Sequence, residues 1–140
     1  VEKDPLIYLQ SGNFLENQGK HDEALIEFYK YVEIDTTNEF AWNNIGVAKL
    51  CLGDSEGAIE NFDRAIEINS SYRDGFHNRG LAHSDLAELD LALSDLNTAI
   101  ELDPRHWASF RHRSIIHHML GNGDQSYKDY IKGRNIESYN

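Results

Sequence analysis

The sequence predicts an all-α protein built from four tandem helical repeats, with eight helices in total. The first observation is a period of 34 residues, which places an aromatic side chain at Tyr8, Trp42, Phe76 and Phe110. The second is that apolar residues within a period recur at intervals of three and four, as one face of an α-helix requires. A period of 20 to 50 residues is typical of a repeat architecture.

Three further sets of residues keep the same phase. In order along the repeat they are a glycine, an alanine and a large apolar residue: Gly12, Gly46 and Gly80; Ala24, Ala58 and Ala92; Phe28, Phe62, Leu96 and Tyr130. Ala65 and Ala99 keep this phase as well. The fourth copy departs from the pattern, with Ser114 in place of the glycine, Ser126 in place of the first alanine and Gly133 in place of the second. We divide the chain into repeats 5–38, 39–72, 73–106 and 107–140, within a single domain of residues 1–140.

The first helix has a clear start, because Asp4 can cap it and Pro5 suits the first helical position. Each repeat then breaks in the middle, where a residue that tolerates a left-handed or tight conformation ends the first helix: Gly19, Gly53, Ala87 and Gly121. A carboxylate near the start of each second helix favours the positive end of the helix dipole: Asp22, Glu56, Asp90 and Asp124. We interpret these acidic residues as structural rather than catalytic.

The last predicted helix has two interpretations. Its polar residues, such as Lys128 and Lys132, allow it to cap the array by itself. Alternatively, the last helix leaves an exposed apolar strip of Tyr127, Tyr130, Ile131 and Ile136, which favours a homodimer or a contact with the rest of a longer protein.

The composition argues against several classes of protein. No apolar run approaches the roughly 20 residues of a membrane span, and the start of the chain does not resemble a signal peptide. A lone cysteine, Cys51, excludes an internal disulfide framework, which favours a reducing, cytoplasmic location. Because Val1 is not a methionine, we expect an excised domain or a processed chain.

The charge is unevenly distributed along the chain. The net charge is −11, yet the last repeat carries +2. An acidic body repels phosphate, so we expect neither nucleic acid nor an anionic membrane as a partner. One interpretation is that the acidic residues only solubilise the outer helix faces. The other is that the basic last repeat binds an acidic segment of a partner.

The 34-residue pattern resembles the tetratricopeptide repeat (TPR) family, with the best match at Trp42, Gly46, Ala58, Phe62 and Ala65. The resemblance implies a right-handed α-solenoid of four helix-turn-helix repeats. It also implies binding of peptides or proteins in a concave groove, which is lined by the first helix of each repeat.

The phase of the repeats predicts the residues that line this groove. They are Leu9, Gln10, Asn13, Phe40, Asn43, Asn44, Val47, Leu50, Asp74, His77, Asn78, Leu81, Arg111, His112 and Ile115. Among them, Gln10, Asn44, Asn78 and His112 share one register, a ladder that could hold an extended peptide backbone by hydrogen bonds.

Some family members bind the terminal carboxylate of chaperones through two asparagines and three basic residues. Asn13 and Asn44 match the asparagines, whereas Leu9, Asp74 and Asn78 stand at the basic positions. A carboxylate would be desolvated there without a cation, so we do not expect this clamp.

Seven histidines raise the question of a metal site. His117 and His118 are adjacent, so they point about 100° apart on a helix and do not share a face. We therefore predict no metal and no cofactor, and expect the histidines of the fourth repeat to add charge below roughly pH 6.5. We interpret Cys51 as a small apolar residue. No nucleophile with a recognisable base is apparent, so we predict no enzymatic activity.

The sequence thus predicts a non-enzymatic scaffold that binds a protein or peptide in the groove. Two alternatives remain open. One is a self-assembly module that uses the last repeat, and the other is a regulatory or targeting domain of a larger enzyme.

Gly80 provides a test of the helix phase, because a glycine in mid-helix costs about 1 kcal/mol relative to alanine and needs a packing reason. We expect Gly80→Leu to lower the midpoint of thermal unfolding, since close helix approach leaves no room for the side chain. An unchanged midpoint would contradict the phase.

Overall fold

The computed structural model of the protein describes residues 3–140, which contain eight α-helices and no strand. The helices are α1 (Leu6–Asn17), α2 (His21–Ile34), α3 (Glu39–Cys51), α4 (Ser55–Ile68), α5 (Arg73–Asp85), α6 (Leu89–Leu102), α7 (Trp107–Met119) and α8 (Gly123–Ser138). Each predicted repeat holds two of them, so the all-α repeat fold is confirmed. None of these helices is long and apolar enough to cross a membrane.

The chain divides into two compact units. Unit 1 extends to Tyr72 and holds α1 to α4, and unit 2 covers Arg73 to Asn140 and holds α5 to α8. The division falls between the second and third predicted repeats. The single domain of the sequence analysis stays a prediction, and each unit is described by itself.

The helix starts follow the capping chemistry only in part. The backbone N–H of Leu6 donates to Asp4 Oδ1 at 3.0 Å, and Pro5 already has helical dihedral angles. At the second helix of repeat 2, Asp54 accepts from the backbone N–H of Gly57 at 2.9 Å. The predicted acid of this turn, Glu56, lies within the first turn instead, where it favours the helix dipole without capping.

The four predicted breaks all adopt the left-handed conformation. The φ angles are +73° at Gly19, +85° at Gly53, +58° at Ala87 and +79° at Gly121. Ala87 carries a Cβ that this conformation crowds, so the third repeat holds local strain that the glycines avoid.

Close helix approach explains the glycines in mid-helix. A Cβ at Gly46 would lie 2.5 Å from Phe62 Cε1, and a Cβ at Gly12 would collide with the ring of Phe28. At Gly80 the nearest atom would be Leu96 Cγ at 3.2 Å. In the first three repeats the large residue of the second helix therefore packs directly onto the backbone of the first.

The fourth repeat solves the same packing problem with different residues. The Ser114 hydroxyl donates to the carbonyl oxygen of Ser126 at 2.7 Å, so a polar pair joins α7 to α8. At Gly133, a Cβ would lie 3.1 Å from the carbonyl oxygen of Trp107 and 3.2 Å from Phe110 Cβ. The three departures from the repeat pattern are therefore one local change in how α7 and α8 pack.

Each unit has its own apolar core. In unit 1, Ala24, Phe28, Tyr31, Val32, Ala41 and Ile45 form a buried cluster. In unit 2, Ala92, Leu96 and Ile116 form a smaller one. These clusters hold the first helices of the repeats in place, and those helices carry the candidate site.

Ala87→Gly should stabilise the protein by about 0.5–1 kcal/mol, because removing the left-handed strain outweighs the larger backbone entropy of glycine. Urea unfolding measures the change. Ala108→Gly, inside α7, is the matched control and should have the opposite sign. Destabilisation by both variants would show that Ala87 is not strained.

Candidate functional site

The unit 1 part of the predicted groove lies on α1 and α3. Its surface residues, exposed or half-buried, are Leu9, Gln10, Asn13, Phe40, Asn44, Val47 and Leu50. Asn43 differs from the prediction, because its side chain is buried with only 6% exposure. It lies inside the helix packing and offers nothing to a ligand.

An amide pair connects the first helices of the two repeats in unit 1. Asn44 Nδ2 donates to Asn13 Oδ1 at 2.8 Å. Asn13 is exposed and Asn44 is half-buried, so the pair lies at the surface. The Asn13 amide nitrogen and the Asn44 carbonyl oxygen therefore remain available to a ligand.

An aromatic side chain lies at the start of α3. Phe40 is 54% exposed, and its ring meets that of Tyr72 edge to face with centroids 5.4 Å apart. The Tyr72 contact fixes the orientation of a ring that water still reaches. Such a ring gives apolar contact area at a small cost in conformational entropy.

The unit 2 part of the prediction lies on α5 and α7. Its residues are Asp74, His77, Asn78, Leu81, Arg111, His112 and Ile115. Arg111 and Ile115 are exposed, and His77 is buried with 8% exposure. His77 thus differs from the prediction in the same way as Asn43. The ladder of Gln10, Asn44, Asn78 and His112 has two members in each unit and stays a prediction.

Three histidines of unit 2 form a cluster, and two of them contact Ser109. Nδ1 of His77 lies 2.8 Å from Ser109 Oγ, and Nδ1 of His106 lies 2.7 Å from the same oxygen. One hydroxyl can donate to only one of these nitrogens, so the other imidazole donates its own N–H to the oxygen. The ring centroid of His112 lies 5.1 Å from that of His77.

The histidine cluster holds its members neutral. Burial, followed by the charges of His112, His106 and Arg73, lowers the pKa of His77 from 6.5 to about 3. Burial also lowers the pKa of His106 and of His112. The expectation that the histidines of the fourth repeat gain charge near pH 6.5 is therefore wrong for His112.

Asp74 already has a cationic partner. Arg73 holds it at 2.6 Å and also reaches Asp103 at 2.6 Å. The hydrogen bond from Arg73 lowers the pKa of Asp103. The negative charge that Asp74 would bring to the predicted groove is thus partly neutralised.

Two partly buried ion pairs were not predicted from the sequence. Arg79 binds the Asp95 carboxylate through two nitrogens, at 2.9 and 2.7 Å, and Arg113 binds Asp129 in the same way at 2.7 and 2.8 Å. The signal was an arginine and an aspartate 16 residues apart, repeated after 34 residues. Arg113 therefore contributes little to the basic end, because its charge is compensated inside unit 2.

The basic end retains other cations. Arg111 and Arg134 are exposed and line a cleft of about 270 Å³ with Tyr130 and Glu137. Tyr127, on the same helix as Arg134, is 66% exposed. The structure is therefore compatible with both interpretations of α8, as a polar cap of the array and as an exposed apolar strip.

Cys51 differs from its interpretation as a small apolar residue, because it is exposed at the end of α3. Burial of the sulphur and the Glu16 charge raise the pKa of its thiol. A raised pKa is the opposite of what a reactive cysteine needs. Glu16, His21 and Cys51 lie together, with one possible ligand atom from each within 4.8 Å of the others.

Pairs of helices, each closed by a left-handed turn and packed through a small residue, define a helical repeat protein. Two family models described as tetratricopeptide repeat match the chain, at residues 6–38 and 37–103. The chain belongs to the tetratricopeptide repeat family. No curated protein sequence matches it.

Solved structures agree with this fold. A crystal structure of MamA is 24% identical with a TM-score of 0.88, covering 97% of this chain and 80% of MamA. A thermophilic TPR protein of Thermus thermophilus is 22% identical with a TM-score of 0.88, covering 96% of this chain and 75% of that protein. The first TPR of Spaghetti (RPAP3), bound to the HSP90 peptide SRMEEVD, is 27% identical with a TM-score of 0.81. The match covers 84% of this chain and 93% of the RPAP3 chain.

His77 should make the protein less stable in acid. Its pKa is about 3 in the folded state and 6.5 in the unfolded state, so its contribution is complete above pH 6.5 and declines as the pH falls towards 3. Between pH 7.5 and 5 we expect a loss of about 2 kcal/mol from this residue. Urea unfolding at several pH values measures it.

His77→Gln should flatten this pH dependence while keeping a side chain that can bond to Ser109. The matched control is His118→Gln, which removes an exposed imidazole and should change the pH dependence much less. An unaltered slope in His77→Gln would show that His77 is protonated in the folded protein.

Proposed function

We propose that the protein is a non-enzymatic interaction module that binds an extended segment of a partner protein on the α1 and α3 face of unit 1. The observation that carries the proposal is the surface pair of Asn13 and Asn44. Their mutual hydrogen bond fixes both side chains in one orientation before a ligand arrives, which lowers the entropy cost of binding.

The pair presents the complement of a peptide unit. The Asn13 amide nitrogen can donate to a backbone carbonyl oxygen, and the Asn44 carbonyl oxygen can accept from a backbone N–H. Recognition of the main chain in this way tolerates many side chains. It provides the position and direction of the peptide, while neighbouring surfaces provide its specificity.

The neighbouring surfaces are apolar. Phe40 offers a fixed, half-exposed ring, and Leu9, Val47 and Leu50 are half-buried on the same two helices. These side chains would contact apolar residues of the peptide. An aromatic anchor surrounded by smaller contacts is common where a few residues dominate binding energy.

The charge of unit 1 favours a neutral or basic peptide. Residues 1–72 carry a net charge of −9, which raises the local concentration of cationic ligands and repels acidic ones. The RPAP3 domain is bound to a peptide that ends in EEVD, with two glutamates and an aspartate. Leu9 offers no cation for such a carboxylate, so we propose a different class of peptide for this chain.

Unit 2 supports a second, separate contact. The guanidinium groups of Arg111 and Arg134 at the 270 Å³ cleft suit an acidic group, as the sequence analysis expected of the basic end. This contact would act on another part of the partner.

Self-assembly is the alternative function that a specific observation favours. Tyr127 and Tyr130 are 66% and 47% exposed on α8, and Ile131 lines a pocket of about 290 Å³ beside Tyr127. Light scattering over a concentration series distinguishes this alternative. A constant mass near 16.0 kDa supports the peptide-binding module, whereas a mass that doubles with concentration supports assembly through α8.

The combined change Asn13→Ala and Asn44→Ala should weaken binding of a neutral or basic peptide about tenfold or more, since two net hydrogen bonds are lost. The peptides are selected on an array of varied sequences, and fluorescence anisotropy then measures their affinity. Circular dichroism checks that the helices are intact.

The matched control is Asn17→Ala with Asn135→Ala, which removes two exposed amides elsewhere. It should bind like the unaltered protein. Equal affinity in the Asn13 and Asn44 variant would remove the amide pair from the mechanism, and preference for the SRMEEVD peptide would overturn the charge argument.

A further inference from the structure

Three side chains with different ligand chemistry meet at one end of unit 1. Glu16 lies in the last turns of α1, His21 is the first residue of α2, and Cys51 is the last residue of α3. A carboxylate oxygen, a ring nitrogen and the sulphur all lie within 4.8 Å of one another. The turn containing Gly19 brings the first two together, and the packing of the second repeat brings the third.

Glu16 has an unsatisfied oxygen at this position. Its Oε1 is 2.8 Å from Nδ1 of His21, but its Oε2 is buried and has no hydrogen-bond partner among residues 3–140. A buried carboxylate oxygen without a donor is costly, and most such atoms in proteins have a partner. The unpaired oxygen can therefore accept a hydrogen bond or bind a cation.

The combination of sulphur, nitrogen and oxygen identifies the kind of cation. Calcium and magnesium prefer oxygen ligands alone, whereas zinc accepts thiolate, imidazole and carboxylate together. The acidity of unit 1, with a net charge of −9 over residues 1–72, also favours a cation.

The distances are close to those of a zinc site. Bonds of about 2.0–2.3 Å in a tetrahedron place ligand atoms roughly 3.3–3.6 Å apart. Glu16 Oε1 and His21 Nδ1 lie 2.8 Å apart, somewhat closer than this spacing, and the Cys51 sulphur lies within 4.8 Å of both side chains. Side-chain rotation at these two residues and at exposed Cys51 can bring the three atoms to the required spacing. The helices need not move.

We propose that Glu16, His21 and Cys51 bind one Zn²⁺ ion, with the fourth position open to water or to a side chain of a partner. On binding, the Cys51 thiol releases its proton to solvent, and the zinc ion replaces the hydrogen bond between His21 and Glu16. Because the ligands come from α1, α2 and α3, the ion joins the two repeats of unit 1. Its ligands are different residues from the proposed peptide contacts of Asn13 and Asn44.

Metal binding tests the proposal directly. The full chain is freed of metal with a chelator and titrated with Zn²⁺ by calorimetry, and with Co²⁺ by absorption spectroscopy. We expect one ion per chain, and a thiolate-to-cobalt charge-transfer band in the near ultraviolet. Because Cys51 is the sole cysteine, the band can come only from that residue.

Three variants remove the ligands one at a time: Glu16→Gln, His21→Gln and Cys51→Ser. Each should weaken Zn²⁺ binding by more than the roughly 10- to 100-fold loss that outer-shell changes cause, and Cys51→Ser should abolish the band. Glu33→Gln and His118→Gln change exposed residues elsewhere and should leave the affinity unchanged.

Thermal unfolding supplies a measurement that does not depend on the variants. Saturating Zn²⁺ should raise the unfolding midpoint of the unaltered protein, because the ion binds the folded state preferentially. Absence of binding by the unaltered protein, or affinity that survives Cys51→Ser, would overturn the proposal.

Discussion

The contact on which the fold depends is the close approach of the two helices in each repeat. Phe28 and Phe62 lie against the backbone at Gly12 and Gly46, where any side chain would collide with them. This contact positions the second helix, which in turn supports the first helix of the next repeat in the same unit. The surface that carries Asn13 and Asn44 exists because the apolar residues beneath it are packed in this way.

The helices and turns could be predicted from the sequence because they depend on local chemistry that recurs every 34 residues. Even Ala87 was identified as a left-handed position, since it occupies the place of three glycines. Burial was harder to predict. Asn43 and His77 lie on the expected helices, but neighbouring helices bury their side chains. The periodicity of one helix does not show which of its residues a neighbouring helix will bury.

The polar interior of unit 2 escaped prediction for a related reason. Arg79 and Asp95 belong to different helices, as do Arg113 and Asp129. A charged residue considered alone in the sequence is normally expected to be exposed to solvent. Their pairing is visible only when the third and fourth repeats are compared, because the first two carry other residues at these positions. Similarly, Cys51 lies between Leu50 and Leu52 in the sequence, which favours an apolar interpretation, whereas its exposure depends on where α3 ends.

The hydrogen bonds between helices have a consequence for how fast the chain folds. Arg79 and Asp95 are 16 residues apart, and the longer connections, Asn13 to Asn44 and His77 to Ser109, span 31 and 32. Short separations require closure of small loops, whose entropy cost is low. Proteins dominated by such local contacts fold in microseconds to milliseconds. A chain of this kind spends little time with its apolar helix faces uncovered, which limits the opportunity for aggregation.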